Sequence, residues 1–588
     1  MRGTVVPVVL LRLLTPAATE AQTYPQDVEA RISQVEGNVA FAKFRIAGRP
    51  NLTIADRMNH HGVKALSIAV IKDYRIDWAK AYGWADAEER RAATTETLFQ
   101  PGSISKSLNA VAVLRLVQEG KLDLNRDINQ DLKSWQFPYD SLAKGKPITL
   151  GHLLSHTAGL GVHGFWGYNA GDPLPSLTQI LDGVPPAISK PVRSLFEPGL
   201  RFEYSGGGTM ISEQIVVDAT GRPYAEYLRE AVLEPLGMTS SSYTQPPPAS
   251  IEPKLATGYA ADGRPITGKF PIMAEQAAAG LWTTPTDLAR FIIELQLSRE
   301  GRSQRVLETA TTRLMTTPYL AGADAPGGVA VGLGVFLESF GGHTYFQHGA
   351  GNQGFSGQYF GSLEGGNGVV VLINSDAGFD LVKEVINTVA QVYRWEGFPP
   401  GDAPPTRTVV SVPSAALERF VGAYRDVNGV VTITRRDGKL WYQASGAPWE
   451  MYFTTPTTFF NLESGSDKAF ILTPRGRVTG LIRSLGGKEV GRAHRVPVVG
   501  VPSRQTARYV GEYRNAADEP VRVLADAGAL WILSDRTRRQ IRFLSPTEFY
   551  TTEDFGVQYQ FVIDQRGAIT SIATTEAGER AMIRRIGR

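Results

Sequence analysis

The chain has 588 residues, 42% apolar and 20% charged, which is the composition of a packed globular protein of several domains at about 100–200 residues each and excludes a disordered or coiled-coil reading of the whole. Lys plus Arg number 61 against 58 for Asp plus Glu, with no long basic run, so neither nucleic acid nor another polyanion is an expected partner. Cysteine is absent, which excludes thiol nucleophiles, disulfides, iron–sulfur clusters and thiolate zinc sites and leaves oxygen or nitrogen for any covalent chemistry.

Residues 1–21 have the layout of an export signal: Arg2, an apolar stretch over 5–14, and small residues ending at Ala21. Pro7, Arg12 and Pro16 interrupt it, and a frayed N-terminal helix is the alternative. No later segment reaches the roughly 18 uninterrupted apolar residues of a membrane span. The expectation is an exported protein, periplasmic or secreted, without an integral membrane segment.

Residues 67–72 and 76–82 alternate around Asp73-Tyr74 like a β-hairpin. Next comes Pro101-Gly102-Ser103-Ile104-Ser105-Lys106, which opens a helical period over 105–118. A serine and a lysine three apart share a helix face, so the amine can reach the hydroxyl; the plain alternative is a helix cap with a surface lysine. A second such pair, Ser141 and Lys144, lies among prolines and lysines and reads as a solvated loop. His152 and His156 are four apart, but Leu153 stands where a zinc-protease motif needs glutamate, so no metal site is expected and His156 reads as a loop anchor. The loop His163-Gly164-Phe165-Trp166-Gly167-Tyr168 can line the mouth of a cleft, with Trp166 and Tyr168 as candidate substrate contacts, or simply pack. His60, His61 and His343 read as surface or turn residues.

Tyr204 precedes Ser205-Gly206-Gly207-Gly208, a glycine turn before a helical run over 209–217. A tyrosine or a buried lysine can take the proton that makes a serine nucleophilic, whereas a tyrosine alone is as readily a buried aromatic. Another helical period covers 224–233. The run Tyr345-Phe346-Gln347-His348-Gly349-Ala350-Gly351 reads as an edge strand whose amides suit substrate docking and an oxyanion hole. Its glycines also fit a dinucleotide fingerprint, but residues 355–360 do not continue as the helix that motif needs, so no cofactor is expected. A continuous apolar strand over 368–373 and a helical period over 381–395 follow. The mixture predicts an α+β domain over 22–396, an antiparallel sheet flanked by helices.

Residues 397–412 are a Pro- and Gly-rich linker. Beyond them the text repeats itself at a spacing of about ninety residues: Val421-Gly422-Ala423-Tyr424-Arg425 returns as Val510-Gly511-Glu512-Tyr513-Arg514, and Gly438-Lys439-Leu440-Trp441 as Gly528-Ala529-Leu530-Trp531. Short β-type runs broken by turn residues predict two small antiparallel β-barrels, at 413–500 and 501–588, with Trp441 and Trp531 in their cores and a barrel loop restricting the cleft.

Ser103-x-x-Lys106, Tyr204-Ser205-Gly206 and His348-Gly349-Ala350, in that order, resemble the three motifs of serine hydrolases related to class C β-lactamases and DD-peptidases, and the appended barrels and His348 are most similar to D-aminopeptidase-type members. That resemblance implies a β-lactamase/transpeptidase-like domain and an acyl-enzyme mechanism without cofactor or metal. Ser103 is then the nucleophile, Lys106 and Tyr204 share the proton transfers, His348 orients the substrate, and the amides of Ser103 and Gly351 hold the oxyanion. Gly206 stands where many relatives carry asparagine, Ala350 where they carry glycine, and His348 where they carry lysine, which argues against a committed β-lactamase or carboxypeptidase. The implied substrate is a small amide, ester, lactam or short peptide; a penicillin-binding sensor with slow turnover is the alternative, and an oligomer of identical chains is left open.

Overall fold

The computed structural model describes residues 23–586 apart from 40–43, 50, 321, 399–404, 428, 445–447, 463, 501–505, 516–519, 527, 535–536, 552–555 and 577–578. The signal-like segment therefore lies outside the described residues.

The N-terminal domain is built on one antiparallel sheet. Its long strands are β1 (Ala65–Lys72), β2 (Arg75–Asp86), β3 (Phe336–Phe340), β4 (His343–Asn352), β5 (Phe355–Ser362) and β6 (Gly368–Ile373). They run in the order β2-β1-β6-β5-β4-β3, with two-residue strands Arg91–Ala92 and Ala330–Val331 at the edges. Asp73 and Tyr74, both with positive φ, make the β1–β2 turn that the sequence predicts.

Strands β1 and β6 are apolar but for Ser67 and the terminal Lys72, because both faces are covered. On one face Ala65, Ala69, Val370 and Leu372 pack under helices α2 (Ser105–Gln118), α3 (Gly206–Thr220) and α4 (Pro285–Arg299). On the other, Leu66, Ile68, Val369 and Val371 meet α1 (Gln26–Gly37) and α5 (Phe379–Val392). Each buried aliphatic side chain there contributes about 1.5–3 kcal/mol. Helix α2 lies innermost, with its span from Ser105 to Leu114 wholly buried.

Two observations correct the sequence reading. Helix α3 begins at Gly206, so the three glycines form its first turn and not a turn before it. His61 is not a plain surface residue: its Nε2 lies 3.0 Å from Glu384 Oε1, joining the buried Arg57–Glu384 ion pair (2.8 Å) behind the sheet.

Each C-terminal repeat is a nine-stranded, nearly closed antiparallel barrel. The terminal strands of the first, Trp449–Glu450 and Tyr452–Phe453, are separated only by Met451, whose amide donates to Leu440 O at 2.9 Å. Ile541 spans the corresponding seam of the second, donating to Leu530 O at 2.9 Å. The repeated Tyr-Arg motif caps each barrel alike: Tyr424 Oη donates to Phe420 O (2.7 Å) and Tyr513 Oη to Tyr509 O (3.0 Å). The tryptophans correct a third expectation. Leu440 and Tyr442, like Leu530 and Ile532, point inward, and strand alternation turns Trp441 and Trp531 outward, the latter beneath the Arg538 guanidinium at 4.2 Å.

The units are joined at several points. Arg45–Ile46 pairs in parallel with Thr406–Arg407, inside the predicted linker, and Phe44 and Ile46 pack on Phe460 and Leu462 of the first barrel. Ala423 and Val430 meet Leu544 and Tyr550 between the barrels, beside an Arg425–Glu548 ion pair of 2.5 Å.

Candidate active site

Ser103 sits on the 3-10 turn Gly102–Ile104 that leads into α2. Gly102 has φ +48°, and a Cβ there would meet the backbone of Gly351 at 2.6–2.8 Å, so only glycine lets the serine turn lie against β4. Strand β4 is internal to the sheet rather than an edge, but β3 stops pairing at the Phe336–Gln347 position. Residues 348–352 thus have a strand neighbour only in β5, and the serine turn docks on their open side. His348, Ala350 and Asn352 point into the buried face, and Asn352 Nδ2 donates to Gln100 Oε1 (2.9 Å) and Ala279 O (3.1 Å). Gly349 faces away towards Phe379, while Gly351 is exposed with open space around it.

Lys106, one turn after Ser103, is 4% exposed. Its Nζ lies 3.0 Å from Ser103 Oγ and 2.7 Å from Ala278 O. Burial pulls the amine from its ordinary 10.5 down to about 7. Tyr204 has its ring 5.2 Å from Lys106 Nζ, and its phenol, raised by burial, is drawn back by a hydrogen bond with Ser103. These three groups, far apart in the chain, form one contiguous constellation.

His348 Nδ1 lies 2.7 Å from Gly349 O. A carbonyl only accepts, so Nδ1 carries the hydrogen and Nε2 is the acceptor. Burial pushes the imidazole down to about 3, and Nε2 has no partner among the described residues. The ring is therefore a neutral acceptor, unlike a lysine at the same place.

Several residues of the site were not singled out from the sequence. Phe336 stacks on Tyr204 (6.4 Å between centroids), and His156, the predicted anchor, packs on the same ring at 4.3 Å while its Nδ1 accepts from Ser205 N at 3.2 Å. His152 caps its own helix through Thr149 and shares no site with His156. At Gly206 a Cβ would lie 3.0 Å from the Phe165 ring, so this aromatic occupies the space beside the backbone there. Trp166 is 46% exposed, whereas Tyr168 is buried, its hydroxyl donating to Glu275 Oε1 at 3.3 Å. Behind Lys106, Glu213 Oε2 accepts from Ala277 N at 2.7 Å. Burial raises Glu213 to about 8 and Glu275 to about 7, so both carboxyls hold protons readily near neutrality. Ser141 and Lys144 lie on an exposed turn, remote from this constellation in the chain.

A cavity of about 320 Å³ adjoins Tyr204, and all its lining residues fall between 160 and 204. Leu160, Val162, Pro191 and Leu195 supply apolar walls; Lys190, Arg193 and Glu203 add charge. The second barrel approaches elsewhere: Asp526 and Arg538 act electrostatically on Arg264 and Asp262, on the turn whose Tyr259 amide donates to Gly354 O at 3.3 Å.

The family model described as Beta-lactamase matches residues 51–392, more than half of the chain. The chain belongs to the beta-lactamase family. It is 25% identical over 263 residues to "Protein flp" of Staphylococcus aureus strain N315, covering 43% of this chain and 50% of that one. It is 27% identical over 225 residues to "Putative penicillin-binding protein PbpX" of Bacillus subtilis strain 168, covering 38% and 52%. The chain thus spans about half the length of the curated relatives it matches. Among solved structures, D-amino acid amidase from Ochrobactrum anthropi SV3 is similar at 23% identity and a TM-score of 0.49, over 63% of this chain and 99% of that one. Among the described residues no helix is long and apolar enough to cross a membrane, and no group of side chains is arranged to hold a metal ion.

Proposed function

We propose that this protein is an exported serine hydrolase that cleaves amide or ester bonds of small substrates through an acyl-enzyme on Ser103. The observation that carries the reading is the buried Lys106 amine, 3.0 Å from Ser103 Oγ and held near neutrality. In its neutral form Lys106 takes the Ser103 proton as Oγ attacks the carbonyl. The tetrahedral oxyanion lies between the amides of Ser103 and Gly351, which Gly102 brings together. Tyr204, protonated because burial disfavours the phenolate, donates to the departing group and is recharged from the Lys106 ammonium. Water then attacks the ester by the same route in reverse. Neutral His348 offers an acceptor, which suits a substrate N–H or O–H better than a carboxylate.

The test is intact-protein mass after mixing with a penicillin and with an ester-type acylating probe, wild type beside Ser103→Ala. The expected result is an adduct on wild type alone, mapping to Ser103. Its lifetime separates turnover from the slow-release behaviour of a binding protein. Equal labelling of both proteins sinks the assignment.

A further inference from the structure

We propose that the cavity walled by Tyr204 is a leaving-group pocket, and that the enzyme prefers substrates whose departing alcohol or amine carries an apolar chain. This rests on the reading of Ser103 as nucleophile. The cavity, about 320 Å³, has the size of a small-ligand site, and Leu160, Val162, Pro191 and Leu195 make its surface apolar. Lys190, Arg193 and Glu203 add charge to its lining, and Tyr204 closes it, its ring 5.2 Å from the Lys106 Nζ that lies 3.0 Å from Ser103 Oγ. In the acylation step the Ser103 Oγ–acyl bond forms and the bond from acyl carbon to the departing oxygen or nitrogen breaks. The departing atom takes the Tyr204 proton and leaves as a neutral alcohol or amine, while the Ser103 proton passes to Lys106 and on to Tyr204. A group released against Tyr204 has this cavity beside it.

A second observation marks the cavity as built. Val162 has φ +62°, a left-handed conformation that glycine or asparagine adopts easily and a β-branched residue very rarely. The loop is fixed there by α3: Ser205 Oγ donates to Gly161 O (2.7 Å), Gly207 N to Val162 O (3.0 Å) and Gly206 N to His163 O (3.0 Å). Strained backbone of this kind collects at functional sites, and here it holds an isopropyl group in the cavity wall. Leu195, on the same wall, is 50% exposed, an apolar surface that an apolar chain would cover.

The test compares two ester series: methyl to butyl acetates, in which the alcohol grows, and ethyl acetate to hexanoate, in which the acyl group grows. Wild type, Val162→Asn and Leu195→Ser are assayed on both. In wild type kcat/KM for the alcohol series should rise about fourfold per methylene. Both variants should flatten that rise to less than about twofold per methylene, and should keep the wild-type slope along the acyl series while lowering its members by one common factor, since all of them release ethanol. Val162→Asn should unfold at a temperature no lower than wild type, because asparagine relaxes the backbone; a merely structural valine would give a less stable variant with unchanged selectivity. A flat alcohol series in wild type, or variants that keep its slope, overturns the pocket while Ser103 acylation still stands. Esters turned over without an adduct at Ser103 overturn the underlying reading, and the pocket with it.

Discussion

Lys106 shows what the site costs the fold. An amine that titrates at about 7 folded and at 10.5 unfolded binds fewer protons in the native state between those values, so its contribution to stability becomes more favourable as pH rises through that window and is most unfavourable below 7. The difference is worth about 4–5 kcal/mol at acid pH, and Lys106→Met also leaves the Ala278 carbonyl without its donor, at about 1–3 kcal/mol. The variant should therefore gain about 1–3 kcal/mol at pH 6, a gain that fades towards pH 10 in denaturation curves, while acylation falls at least about a thousandfold. In wild type the same group sets the acid limb: kcat/KM should rise with pH up to about 7 and then level, because only the neutral amine accepts the Ser103 proton. A limb near 5 would point to a carboxylate base instead.

At the scale of elements, the same tyrosine cap recurs in both barrels. Tyr513→Phe removes the bond to Tyr509 O from a fully buried hydroxyl, and should cost the second barrel about 1–2 kcal/mol with no change in Ser103 labelling; a loss of labelling would show that barrel and site are coupled. What the sequence made readable follows how local each signal is. Helix α2 and its Ser103-x-x-Lys106 pair lie in one unbroken stretch, 103–118, and were legible with their bounds. The start of α3 was not, because three glycines carry little helix propensity, and their amides are held by the carbonyls of Val162 and His163 and the hydroxyl of Ser205. Strand β4 was legible as a strand, but its open side depends on where β3 stops, which no property of β4 encodes. The faces of Trp441 and Trp531 turn on a single-residue parity within a strand. The left-handed Val162 contradicts its own propensity, and the Arg57–Glu384 pair joins residues 327 apart. Such features arise only in three dimensions.

For the whole molecule, the narrow apolar joint between the beta-lactamase-family domain and the first barrel decides whether they behave as one unit. Phe44 lies outside both large cores of its domain, edge-on to Phe460 at 5.2 Å and under the Arg407 guanidinium at 4.5 Å. Phe44→Ser should thus remove about 3 kcal/mol of coupling without harming either core, and calorimetry should show one unfolding transition become two. A transition that stays single would place the coupling elsewhere, at the strand pair of Arg45–Ile46 with Thr406–Arg407.

The sheet has a further consequence for how the molecule is made. Its central strand, Ala65–Lys72, finds one neighbour at once in the hairpin but the other only in Gly368–Ile373, some three hundred residues later. At about 5–20 residues per second, a ribosome needs roughly 15–60 seconds between the two. During that interval a largely apolar strand lacks a partner on one edge and the part of its cover that Phe379–Val392 supplies. Native closure of the sheet therefore waits until Gly368–Ile373 has been made, and until then the newborn hairpin presents an open, largely apolar edge.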